Sequence, residues 1–329
     1  MRVTCISLSA LMADQTTEFR KAVEKNDIAA VKKILDNNPK LVHVDDLTGG
    51  PWGKTGEVWY PSLHLAAYDG HLEMVSLLIS RGSNVNLLNH TNSTPLQVAA
   101  MKGRFEVAKL LISKGAKVNV RDDDDETPLW YAVNAGSAEI TSLLVDKGAK
   151  MDVEIIDGKA VLHLAAQKGN LEICRMLIEK GAKVDGVIKN YETPLCYAAR
   201  AGHLQVVRYL MEKGANVNVR SGNVTPLSNA VLKNHYEIAK MLVSKGADVN
   251  VKDDYGRTLL HIAVGAGNTK IVKLLLAHGA DINARLPDRV EPRGMMNPPI
   301  IKGKTPLGIA LELKQNDIVN ILRKHGAVE

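Results

Sequence analysis

The run in this chain that comes nearest to a recognisable chemistry is Thr48-Gly49-Gly50-Pro51-Trp52-Gly53-Lys54-Thr55. It approaches the phosphate loop G-x-x-x-x-G-K-[ST], whose backbone amides cradle phosphates while Lys and Ser/Thr reach phosphate and magnesium. Three features argue against that use. Thr48 stands where the first glycine belongs, Pro51 has no amide to donate, and GEVWYP rather than a helix follows Thr55. The second candidate is the acidic run Asp122–Asp125 with Glu126. A calcium loop alternates its ligands and bends at a glycine, and this run does neither. It reads as a solvated turn tip or a charged contact point. The three cysteines, Cys5, Cys174 and Cys196, have neither a paired framework nor metal-ligand spacing. Cys174 falls on an apolar helical stripe and Cys196 follows Pro194-Leu195, so both read as packing residues of a protein in a reducing compartment. The sequence predicts a non-enzyme with no cofactor and no metal.

The elements that position these residues repeat. In Thr94–Glu126, Thr94 suits a helix cap and Pro95 a first turn. Apolar residues at helical spacing follow until Gly103, and a second helical pattern from Phe105 ends at Gly115, both glycines standing where a left-handed residue closes a helix. Two short helices cannot bury their apolar faces alone. Leucines matching Leu96 recur at Leu63, Leu129, Leu162, Leu195, Leu227, Leu260 and Leu307, at successive gaps of 33, 33, 33, 33, 32, 33 and 47 residues starting from Leu63. A period of 33 with two helices per unit is the signature of a stacked solenoid. The period also absorbs the histidines. His64, His163 and His261 fall one after the matched leucine; His71, His203 and His235 follow the first helix stop; His278 and His325 precede the second. Only His43 and His90 lie off the pattern, without carboxylate or cysteine partners at telling spacing.

In Thr94-Pro95-Leu96, Leu162-His163-Leu164-Ala165-Ala166, Gly202-His203-Leu204 and Gly246-Ala247-Asp248-Val249-Asn250 the chain resembles the ankyrin-repeat family. The resemblance implies an all-α solenoid of helix pairs with β-hairpin fingers, about nine units including degenerate caps. Residues 1–15 are read as an N-terminal extension and 16–329 as one repeat domain. That domain divides into a cap unit over 16–39, an insert over 40–60 holding Trp52, Trp59 and Tyr60, seven regular repeats over 61–283, a proline-rich insert over 284–304 and a C-terminal cap over 305–329. We expect the second insert to be mobile and the first to be better ordered by its aromatics.

The resemblance further implies a groove, lined by finger tips and first helices, that binds a protein partner. Carried onto this chain residue by residue, the positions are Met101, Lys102, Asp123 and Asp124 in the first half. In the second they are Ile156, Lys159, Lys168, Val187, Lys189, Tyr191, Arg200, Arg220, Lys233 and Tyr255. The fingers 154–158 and 187–191 place apolar residues where a turn is normally solvated, and the finger 218–225 is one residue short. Trp130 and Cys196 replace the usual histidine, and Trp130 reads as core.

A formal charge of +6 and a pI near 9.0 raise a rival reading, a binder of nucleic acid or anionic lipid through basic groove residues. Much of the excess is Lys114, Lys147, Lys180, Lys213 and Lys245, each next to a glycine at a second-helix end, where a cation complements the helix dipole. No apolar run is long enough to span a membrane. At the N-terminus MRVTCISLSALMA is short and broken by Ser7 and Ser9 for a signal peptide, and Met12 offers a second start. The expectation is a cytoplasmic, monomeric adaptor or inhibitor, with export through a short signal as the alternative.

Overall fold

The computed structural model describes residues 8–43, 61–152, 160–186, 192–287 and 303–328, with side chains from Gln15 onward. The phosphate-loop-like run, Trp52, Trp59, Tyr60, Cys5 and the central parts of both inserts lie outside the described residues, as do 153–159 and 187–191. The chain's contacts cluster into two units, Met1–Asp157 and Gly158–Glu329.

Among the described residues the first unit holds four helix pairs: α1 (Leu8–Glu24) with α2 (Ile28–Asn37), α3 (Ser62–Asp69) with α4 (Leu72–Ser80), α5 (Pro95–Met101) with α6 (Phe105–Ser113), and α7 (Pro128–Asn134) with α8 (Ala138–Asp146). The helix α1 starts at Leu8, so the described part of 1–15 is helical. A 3-10 turn, Pro39–His43, follows α2. Among the described residues the second unit holds five pairs: α9 (Val161–Lys168) with α10 (Leu171–Glu179), α11 (Pro194–Ala201) with α12 (Leu204–Glu212), α13 (Pro226–Leu232) with α14 (Tyr236–Ser244), α15 (Leu259–Gly265) with α16 (Thr269–Ala277), and α17 (Pro306–Glu312) with α18 (Asn316–Lys324).

Each unit stacks in two layers. First helices pack on first helices (α3 on α5 on α7; α9 on α11 on α13 on α15 on α17), and second helices do likewise. Sequence dictates the layers. The first helices bury a leucine and adjacent alanines, as in Leu96, Ala99 and Ala100, so that backbones approach closely. The second helices bury one stripe, as in Val107, Ala108 and Leu111, and leave their other face in water. The starts are capped as read: Thr94 Oγ1 accepts from the Gln97 N–H at 3.3 Å while Gln97 Oε1 accepts from the Thr94 N–H at 2.9 Å. The stops are left-handed. Where glycine is missing from the first-helix stop, Asn26, Asn234 and Lys314 adopt it themselves, at φ 53°, 61° and 54°.

Three sets of side-chain bonds tie neighbouring repeats together within each unit. His64 Nε2 donates to the Ser93 carbonyl at 2.9 Å, and His261 Nε2 to that of Lys304 at 3.2 Å. In the same place Gln97 Nε2 donates to Glu126 O at 2.8 Å. At the other edge Asn86, Asn119, Asn218 and Asn250 each donate a side-chain amide to a glycine carbonyl about one repeat on: Gly115, Gly148, Gly246 and Gly279. Their oxygens accept the amides of Lys117, Lys150, Asp248 and Asp281 at 2.8–2.9 Å. Third, His203 and His235 reach back to the carbonyls of Gln167 and Arg200 at 3.0 and 3.1 Å. The stop glycines must be bare for this. A Cβ on Gly169 would lie 2.4 Å from the His203 ring, and one on Gly202 would lie 2.6 Å from that of His235.

The fingers are tight turns with little pairing. Among the described residues only the isolated bridges Ser221–Val224 and Lys252–Thr258 form. The short finger closes on Gly222-Asn223, with Ser221 and Val224 exchanging both backbone bonds at 3.0 Å. The second insert leaves the fold through a similar stalk, for the Leu286 N–H donates to Lys304 O at 3.1 Å. It is thus an enlarged finger at its base.

Candidate partner-binding surface

In the first unit the surface is built from two finger tips and the end of α5. The acidic run is not one solvated cluster. Asp122 is only 9% exposed and accepts from Ser93 Oγ, Gln97 Nε2 and the Tyr131 hydroxyl at 3.1, 3.2 and 2.7 Å, and from the Glu126 N–H at 2.9 Å. Burial, and after it the bond to Asp122, hold the Tyr131 phenol protonated far above its ordinary range. Asp125 is left-handed and ion-paired with Arg121. Exposed acid therefore reduces to Asp123, which accepts from Asn92 Nδ2 at 2.6 Å, and Asp124. Beside them Leu88 is 46% exposed on the preceding finger. On α5 Met101 is half-buried, and exposed Lys102 places its ammonium 4.2 Å from the Tyr68 ring centre. Trp130, expected in the core, is half-buried and meets Tyr131 edge-on at 5.4 Å.

In the second unit Lys168 and Lys233 are exposed. Arg200 is not a free cation. It pairs with Glu192, donates to Asn229 Oδ1 at 3.3 Å, and lies 5.7 Å from the Tyr197 ring centre. Asn229, 3% exposed, returns its amide to Glu192 Oε2 at 2.8 Å and to the Cys196 carbonyl at 3.2 Å. Arg220 is exposed but pairs with Asp248 at 3.0 Å. Tyr255 is half-buried with the Arg257 guanidinium over its ring, and Arg257 is in turn bonded to Asp253. Ile156, Lys159, Val187, Lys189 and Tyr191 lie outside the described residues.

Among the described residues the two cysteines are committed to packing. Cys174 and Cys196 are fully buried, and burial pushes their thiols up to about 12 and about 11. Among the described residues no His, Cys, Asp and Glu group has a metal-holding arrangement, and no helix is long and apolar enough to cross a membrane.

The model of the ankyrin-repeat family (three copies) matches residues 19–122, 115–188, 162–253, 225–286 and 249–328. The chain belongs to the ankyrin-repeat family. Among solved structures it is similar to the crystal structure of the human ASB11 ankyrin repeat domain, with 30% identity and a TM-score of 0.62 over 66% of this chain and 97% of that one. No match was found among curated proteins. The repeat register locates the finger tips and the ends of the first helices. It does not reveal the Glu192–Arg200–Asn229 cluster. In the sequence Asn229 follows Ser228 in an otherwise apolar helix, and a polar side chain at a buried first-helix position is its signal.

Proposed function

We propose that this chain is a non-catalytic adaptor or inhibitor that captures a protein partner on the finger tips and inner-helix ends of its ankyrin repeats. The carrying observation is that large apolar side chains there stay open to water, Leu88 on a finger and Leu232, 58% exposed, at the end of α13. Ile156 and Val187 belong to the same proposal through their finger register. Cytoplasmic residence fits the two buried, unpaired thiols.

The polyanion reading is weakened by pairing. Glu192 and Asp248 neutralise Arg200 and Arg220, and Asp123 and Asp124 would repel phosphate. A mixed, partly apolar surface suits a protein better than a phosphate backbone.

Capture of partners on the immobilised chain, identified by cross-linking, tests this. Leu88→Asp with Leu232→Asp, and separately Ile156→Asp with Val187→Asp, should weaken the captured partner at least tenfold, about 1.4 kcal/mol, with helicity unchanged. Lys102→Glu should matter less. A chain that retains only nucleic acid, or a partner indifferent to both double variants, overturns the proposal.

A further inference from the structure

The last turns of the inner helices in the Gly158–Glu329 unit form a grid. Two residues before each helix stop stand Arg200, Leu232, Gly265 and Glu312; one before stand Ala201, Lys233, Ala266 and Leu313. All but Arg200 are exposed. Because α11, α13, α15 and α17 pack in succession, these positions neighbour one another. Ala201, Leu232, Gly265, Ala266 and Leu313 thus make an open apolar ribbon, with Leu313 47% exposed.

Gly265 lies at its centre and is not required there by the backbone. The left-handed stop of α15 is Gly267, at φ 68°. Gly265 is an ordinary helical residue, and a Cβ built on it meets nothing within 4 Å. Glycine is a poorer helix former than alanine. The bare position weakens α15 and leaves a saddle between two leucines. Neighbouring helices lie about 8–10 Å apart, so Leu232 and Leu313, two helices apart, stand roughly 16–20 Å from each other. An extended segment of about five or six residues spans that distance.

The charges around the ribbon that have no ion-pair partner are positive. The Glu312 carboxylate is taken by Lys304. Lys233 and Lys314 are exposed with no carboxylate in ion-pair reach among the described residues. We infer that this ribbon seats a short segment of a partner protein that alternates apolar side chains with carboxylates, its backbone crossing the saddle at Gly265. The inference rests on the protein-capture reading and names the chemistry of what is captured.

Random dodecapeptides displayed and selected on the intact chain provide the probe, with affinities of the selected peptides measured by fluorescence anisotropy. The selected sequences should combine Asp or Glu with large apolar residues. Leu232→Gln with Leu313→Gln, and Lys233→Gln with Lys314→Gln, should each weaken them at least tenfold. Gly265→Leu should fill the saddle and weaken them equally while raising the thermal midpoint, which separates blocking from unfolding. Peptides that bind all three variants as they bind the native chain overturn the ribbon as the seat and leave protein capture standing elsewhere. Basic selected peptides also overturn it. If the intact chain retains no peptide, the ribbon reading falls, and partner capture on the immobilised chain decides the protein-capture reading by itself.

Discussion

At the scale of single residues, the chain departs from its own rule most clearly at Asp185. Asparagines at the equivalent place donate to a glycine carbonyl of the next repeat, but a carboxylate has no proton to give. Asp185 keeps half of the bond, accepting the Asn216 N–H on Oδ2 at 2.9 Å, and buries Oδ1 without a partner. Asp185→Asn should therefore stabilise the protein by about 1 kcal/mol, seen as a higher urea midpoint at unchanged slope. A lower midpoint would refute the ladder argument. His261 supplies a pH dependence. Its Nδ1 accepts from the Thr258 N–H at 3.2 Å while Nε2 donates to Lys304, so the ring must be neutral. Burial lowers its pKa, and the carbonyls of Lys304 and Ala284 only partly oppose that. The unfolded chain then binds the proton more readily than the folded one. Stability is complete above the ordinary value of about 6.5 and is lost as the pH falls below it. Gln97 already performs this task without titrating. His261→Gln should flatten the stability profile below about pH 6.5 and leave it nearly unchanged at pH 8. An unaltered profile would show that the ring titrates freely.

At the scale of helices and turns, the stop glycines carry two demands that substitution can separate. Gly202 and Gly246 have nearly the same φ, 85° and 84°, but only Gly202 faces a ring of the next repeat. Alanine at either should cost about 1–2 kcal/mol for the left-handed backbone. At Gly202 it must also displace His235 and break its bond to Arg200 O, adding about 1 kcal/mol. Equal losses in chemical denaturation would count against that second demand. The helix pairs were legible because Thr-Pro-Leu and the stop residues recur in register, so one unit's reading is repeated down the chain. Asn26 and Lys314 stand at the same register as the stop glycines and take the left-handed backbone in their place. What stayed hidden joins different repeats: Arg200 to Asn229, Asn229 to Glu192, Asp122 to Ser93. Periodicity says which residues share a position, but not which ion pairs form between positions. Arg200 and Arg220 therefore read as free cations, and Asp122 as solvated.

At the scale of the whole molecule, stability sums contributions of repeats and their neighbours, so the terminal pair protects what lies behind it. The α17–α18 pair buries Leu307, Ile309, Ile318, Val319 and Leu322. Deleting 305–329 should expose the apolar face of α15–α16 and drive aggregation; a truncated chain that stays monomeric at high concentration in sedimentation would refute the capping role. The same nearest-neighbour logic gives the two buried thiols an unexpected use. Cys174 on α10 and Cys196 on α11 are shut away in adjoining repeats, so an alkylating reagent marks each only during the moments when its surroundings open. Read by peptide mass over time, the native protein carries its own pair of stopwatches. Their relative rates report, without any introduced label, which of the two repeats breathes more often.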